Sequence, residues 1–208
     1  MKVWDLATRL YHWLQAVLFI VLIVTGFSGN GPHVTIGLVM FTLVLWRLIW
    51  GYVGSETNRF GQFLCSPKVV VRYMLGKERV ILGHNPAGGW MVFVIITALL
   101  LQCVSGLAVA GMLDNLPLAN AWLTDDVFKI LESVHFTLAN FLPVLVAIHI
   151  VAILVYKFCS KPLTWAMVTG IQKGLSQYQR LQFASQLRAF LVLVLATSVT
   201  MTIIAFSF

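Results

Sequence analysis

Hydrophobic positions in this chain do not alternate with polar ones; they run together in blocks from which charge is absent. No Asp, Glu, Lys or Arg occurs in 10–46, 80–113, 133–156 or 189–208, stretches of 37, 34, 24 and 20 residues. About 20 apolar residues in a helix span the hydrocarbon of a bilayer, so the first stretch has room for nearly two spans and each of the others for one. The pattern therefore predicts five membrane helices, over about 5–27, 33–53, 88–112, 133–158 and 187–206. Asp5 is placed to cap the first, and Ser28-Gly29-Asn30-Gly31-Pro32 forms a short turn whose proline opens the second. Pro143 is expected to kink the fourth.

Composition agrees and narrows the class. Of 208 residues, 60% are hydrophobic and 10% charged, against about a quarter charged in an ordinary soluble domain. Mean hydropathy is +0.91, which excludes a water-soluble globular domain. The expected fold is an all-α integral membrane protein, a four-helix bundle with a fifth C-terminal helix. The net charge of +7 is laid out by topology: every Lys and Arg except Lys129 falls on the side of the N-terminus. The positive-inside rule then puts the N-terminus and the 54–87 and 159–186 segments in the cytoplasm and the C-terminus outside. Such charge speaks to anionic lipid, not to nucleic acid. The outer connection, with Asp114, Asp125, Asp126 and Glu132, is mildly acidic, and the segment 59–79 mixes cations with apolar residues as an inner-surface segment does. Cys65, Cys103 and Cys159 are too scattered for covalent c-type haem attachment or a cysteine zinc site. With Asp5 in the would-be basic region and no small-residue cleavage site after the apolar run, the first helix reads as retained.

Four of the five histidines, His12, His33, His135 and His149, lie in predicted helices, where ionisable groups are rare and usually face the bundle interior. His135 and His149 are 14 residues apart, nearly four turns, about 21 Å of rise with an angular error of roughly 40°. Both imidazoles thus share a face at opposite depths. His12 comes early in the first helix, at the inner level of His149; His33 opens the second, at the outer level of His135. Two imidazoles at one depth on different helices are what bis-histidine haem ligation requires. Gly26 and Arg47 follow His12 and His33 by 14 residues each, giving room for a porphyrin edge at the outer level and a cation for a propionate at the inner one. Arg9, one turn before His12, is a second propionate candidate, and Gly37, one turn after His33, would clear space beside a ring. Blander readings stand beside these: Arg47 snorkelling to the interface, glycines as packing contacts, histidines as interhelical hydrogen-bond formers or ion ligands. His84, in a Gly-His-Asn-Pro turn, reads as a turn residue outside the ligand set.

These residues resemble the bacterial cytochrome b561 and hydrogenase-type b-cytochrome family. The resemblance rests on Val3-Trp4-Asp5, Thr8-Arg9-Leu10-Tyr11-His12-Trp13, His33-Val34-Thr35-Ile36-Gly37, Arg47-Leu48-Ile49-Trp50-Gly51, the segment from Leu82 to Met91, and His135-Phe136-Thr137-Leu138-Ala139-Asn140 with His149. It implies a four-helix core over residues 1–170 binding two b-type haems through the four histidines, with 171–208 as a cytoplasmic connector and an added helix. It also implies electron transfer between the quinone pool of the inner membrane and a periplasmic redox partner, such as a c-type cytochrome or a hydrogenase-like enzyme. Whether the chain acts as an enzyme on quinol or only as an electron-transfer subunit stays open at this level. A superoxide:quinone oxidoreductase is the second reading, disfavoured by the acidic outer connection. A haem-carrying or metal-ion transport subunit is the alternative without redox chemistry. The oligomeric state is not written in the sequence.

Overall fold

A computed structural model describes residues 1–77, 85–158, 163–172 and 181–207. Its helices are α1 (Leu6–Ser28), α2 (His33–Val53), α3 (Phe60–Phe63), α4 (Pro67–Met74), α5 (Pro86–Val109), α6 (Ala119–Trp122), α7 (Asp125–Phe158), α8 (Leu163–Thr169) and α9 (Gln186–Phe206), with a 3-10 turn at Glu56–Asn58. Five of them, α1, α2, α5, α7 and α9, are long and apolar enough to cross a membrane. The protein is thus a multi-pass helical membrane bundle. His84 and Cys159 lie outside the described residues.

Local chemistry sets the helix ends. Asp5 caps α1 by accepting the Thr8 N–H at 2.7 Å, and Asn85 caps α5 through the Gly88 N–H at 2.7 Å, with Pro86 in the first turn. The α1–α2 turn places Gly29 and Gly31 at φ 65° and 96°, the left-handed region that glycine enters without steric cost. The largest departure from expectation is α7, which begins at Asp125 rather than at 133. Asp125 and Asp126 occupy its first turn, where carboxylates complement the helix dipole, so much of the acidic outer connection is helical. Its 34 residues extend about 51 Å at 1.5 Å per residue, well beyond a hydrocarbon core of about 30 Å. α5 ends at Val109, three residues earlier than the apolar run suggests.

α1 packs on α2, α2 on α5 and α9, and α5 on α7, while α1 and α7 share no extensive backbone contact. The fifth helix therefore belongs to this bundle. Its small-residue stripe of Ala189, Val192, Ala196 and Thr200 is buried, which lets the α2 and α9 backbones approach. The Trp46 indole donates to the Ala189 carbonyl at 3.0 Å, and the Thr42 and Thr200 hydroxyls bond at 2.8 Å. Ser198 and Thr202 bond to carbonyls of their own helix, Val194 and Ser198, each at 2.9 Å.

A polar knot closes the N-terminal end of α1. Val3 N–H donates to the Gly170 carbonyl at 2.7 Å, and Lys2 pairs with Ile171 in an isolated antiparallel bridge. Asn58 donates to Asp5 at 2.9 Å, Thr57 to the Val3 carbonyl at 2.8 Å, and Trp50 to Thr8 at 3.2 Å. These bonds tie α1 to the segment after α7, although the two helices do not pack along their lengths. Within the segment expected at the inner surface, residues 59–77 carry α3 and α4 at this same end, where Tyr73 and Tyr156 join α4 to α7 at 2.8 Å. Gly51 sits in this region with the Phe60 ring where a Cβ would stand. Gly51→Ala is expected to cost about 1–3 kcal/mol by overpacking, read as a lower denaturation midpoint in detergent.

Candidate haem site

The four histidines sort into two levels. His12 on α1 lies within electrostatic reach of His149 on α7, and His135 on α7 lies within reach of His33 at the start of α2. All four are half-buried.

At the level of His33 and His135 each imidazole meets a hydroxyl–glycine pair on a neighbouring helix. His33 Nδ1 is 3.0 Å from the Thr25 hydroxyl, and a Cβ on Gly26 would come 3.0 Å from its Cε1. His135 Nδ1 is 3.1 Å from the Gln102 carbonyl and 3.4 Å from the Ser105 hydroxyl, and a Cβ on Gly106 would stand 2.9 Å from Cε1. Both glycines make room for a ring. Gly37 has open space where a side chain would be, with no heavy atom within 4 Å.

The level of His12 and His149 is polar and incompletely satisfied. His12 Nδ1 is buried without a hydrogen-bond partner, as are Gln15 Oε1, the Tyr11 hydroxyl and Arg47 Nη1. Trp13 meets the His12 ring edge-on at 5.1 Å. Tyr11 stacks on Trp46 at 5.3 Å and Trp46 on Trp50 at 5.2 Å, walling the site toward α9. Arg47 is only 3% exposed. Its guanidinium lies 5.2 Å over the Phe60 ring and within electrostatic reach of Tyr11 and Asp5. Asp5 already serves Thr8 and Asn58, so the buried cation has capacity for a further anion. Arg9 reaches the Val168 carbonyl at 2.6 Å, and its Nε is buried without a partner.

Reading from sequence passed over Thr25, Gln102, Ser105 and Gly106 at the outer level and Tyr11 and Gln15 at the inner. The available signal was the recurrence of a hydroxyl residue followed by glycine, Thr25-Gly26 and Ser105-Gly106, near the C-terminal ends of two apolar helices.

The donor set suits an iron that brings its own equatorial ligands. Among the described residues no group of three or more His, Cys, Asp or Glu converges as a bare metal ion would need. Two imidazoles per level are what a porphyrin iron lacks. The open space beside Gly37 and the unpartnered buried polar atoms of His12, Tyr11, Gln15 and Arg47 fit a flat apolar ring carrying anionic propionates. No curated protein and no solved structure matches the chain. The prokaryotic cytochrome b561 family model matches residues 3–170, and with its membrane helices, glycine-backed histidines and buried arginine the chain belongs to that family of b-type haem cytochromes of membrane electron transfer.

Proposed function

We propose that the protein is a di-haem cytochrome b that passes electrons between the quinone pool and a periplasmic redox protein. His12 and His149 hold the inner haem, and His33 and His135 the outer one. The observation that carries this reading is the pairing of histidines by level, His12 with His149 and His33 with His135. The unit is assigned to residues 1–170, with 171–208 supplying the connector and the fifth helix, the N-terminus cytoplasmic and the C-terminus periplasmic.

Bound haem supplies reversible one-electron exchange at its iron. The rest falls to the chain. Arg47 and Arg9 neutralise propionates, and their positive charge favours the reduced form, raising the inner potential relative to a site without them. Gly26 clears the His33 ring, whose Cε1 is 3.0 Å from where its Cβ would stand, and Gly37, with open space beside it, is assigned the clearance of a porphyrin edge. The limited contact between α1 and α7 leaves width for a ring between helices, and the polar knot below holds their spacing. The Tyr11–Trp46–Trp50 stack, covered by α9, keeps lipid and water from the inner level on that side.

Detergent-purified protein is expected to give two b haems per chain in a pyridine haemochrome assay, both reducible by a quinol analogue. No haem, or a single haem inert to quinol, would move the histidines to ion or proton handling.

A further inference from the structure

The outer histidines differ from the inner ones in what holds their second ring nitrogen. Thr25 donates its own hydroxyl hydrogen to the Val21 carbonyl at 2.8 Å. Toward His33 Nδ1, at 3.0 Å, its oxygen is then the acceptor, and Nδ1 carries the proton. At His135 the partner of Nδ1 is the Gln102 carbonyl at 3.1 Å. A carbonyl only accepts, so this Nδ1 is a donor too. The Gln102 side-chain amide lies 3.4 Å from His135 Nε2, an arrangement suited to a ring nitrogen with a free lone pair. Ser105 donates to the same Gln102 carbonyl at 3.1 Å and shares it with the imidazole. Access to that carbonyl depends on residue 106 being glycine, since a Cβ there would stand 2.9 Å from the ring. His12, by contrast, keeps Nδ1 buried with no partner.

We propose that Thr25 on one side, and the Gln102 carbonyl tuned by Ser105 on the other, are positioning groups that lock His33 and His135 as Nδ1–H tautomers. Nε2 of both rings is thereby reserved for iron, and both become stronger donors than His12. This rests on the assignment of His33 and His135 as the outer haem ligands. A hydrogen bond accepted from Nδ1–H gives the ring more anionic character and stabilises the oxidised metal. The outer haem is therefore biased toward a lower potential by its hydrogen bonds, while the inner haem is biased upward by its arginines. The bundle thus builds the difference between its two haems from hydroxyl–glycine pairs on α1 and α5.

The test is a redox titration with EPR of the purified, haem-loaded protein in three variants. Thr25→Val is expected to keep two haems, raise the midpoint of one, shift that haem's low-spin EPR signal and leave the other unmoved; Thr25→Ser restores both values. Ser105→Ala is expected to lower the midpoint of the same haem, because the Gln102 carbonyl, at 3.1 Å from Nδ1, then serves the imidazole alone, which outweighs the loss of the longer 3.4 Å contact to the Ser105 hydroxyl. Unchanged midpoints and spectra in Thr25→Val and Ser105→Ala overturn the proposal, as do shifts in different haems or a Thr25→Ser variant that behaves like Thr25→Val. If Thr25→Val loses haem, Ser105→Ala alone decides. Two haems retained in His33→Ala would instead refute the ligand assignment itself, a result separate from either of these.

Discussion

His135→Ala is expected to purify with one b haem per chain, and His33→Ala to lose that same haem. His12→Ala and His149→Ala should each lose the other one. The size of the effect follows from coordination: each assigned histidine would contribute a bond to the iron, and alanine offers none in its place. Identity is checked by combining haem counting with a redox titration, because the retained haem keeps its own midpoint. His12 and His135 stand at different levels, on α1 and α7. Loss of one common haem from His12→Ala and His135→Ala would overturn the pairing, whatever the total haem content.

Gly106→Val is expected to have the next largest effect, removing the outer haem while the inner one stays. The first added carbon alone would stand 2.9 Å from His135 Cε1 and 3.2 Å from Nδ1, closer than packed atoms tolerate, and valine adds two methyl groups. The ring must swing away from the Gln102 carbonyl, which breaks the bond at 3.1 Å and misaims Nε2. A displacement of about 1 Å at a reacting centre costs on the order of a hundredfold, and a ligand bond is no less demanding. Gly61→Ala is the control, since nothing lies within 4 Å of its added carbon and α3 carries none of the four histidines. It should keep both haems and their spectra. Equal haem content in Gly106→Val and Gly61→Ala would remove the argument that ring clearance at Gly106 matters.

Part of this site was legible along the chain because helices are regular. A rise of about 1.5 Å per residue converts a spacing of 14 into a depth, so the levels of His12, His33, His135 and His149 follow from counting once the spans are known. Gly26 and Arg47 came from the same counting, and the structure sets Gly26 against the His33 ring and buries Arg47. Counting could not show that Arg9 also bonds the Val168 carbonyl, because that bond joins residues 159 positions apart and depends on how the segment after α7 folds back. Nor could it show that Asp125 and Asp126 begin a helix; charge ends an apolar run, but it does not end a helix whose first turn welcomes carboxylates.

The number of spans and, to within a few residues at most ends, their borders were determined by the sequence alone, because hydrocarbon excludes charge and demands internally bonded backbone, two constraints that act on each segment separately. The tertiary structure alone decided which helices touch: α9 against α2, Ser105-Gly106 against His135, and little contact between α1 and α7. The reason is that a helix in lipid is apolar on every side. No stripe of polarity marks its packing face, and small residues and buried hydrogen bonds choose the neighbour only when two helices meet.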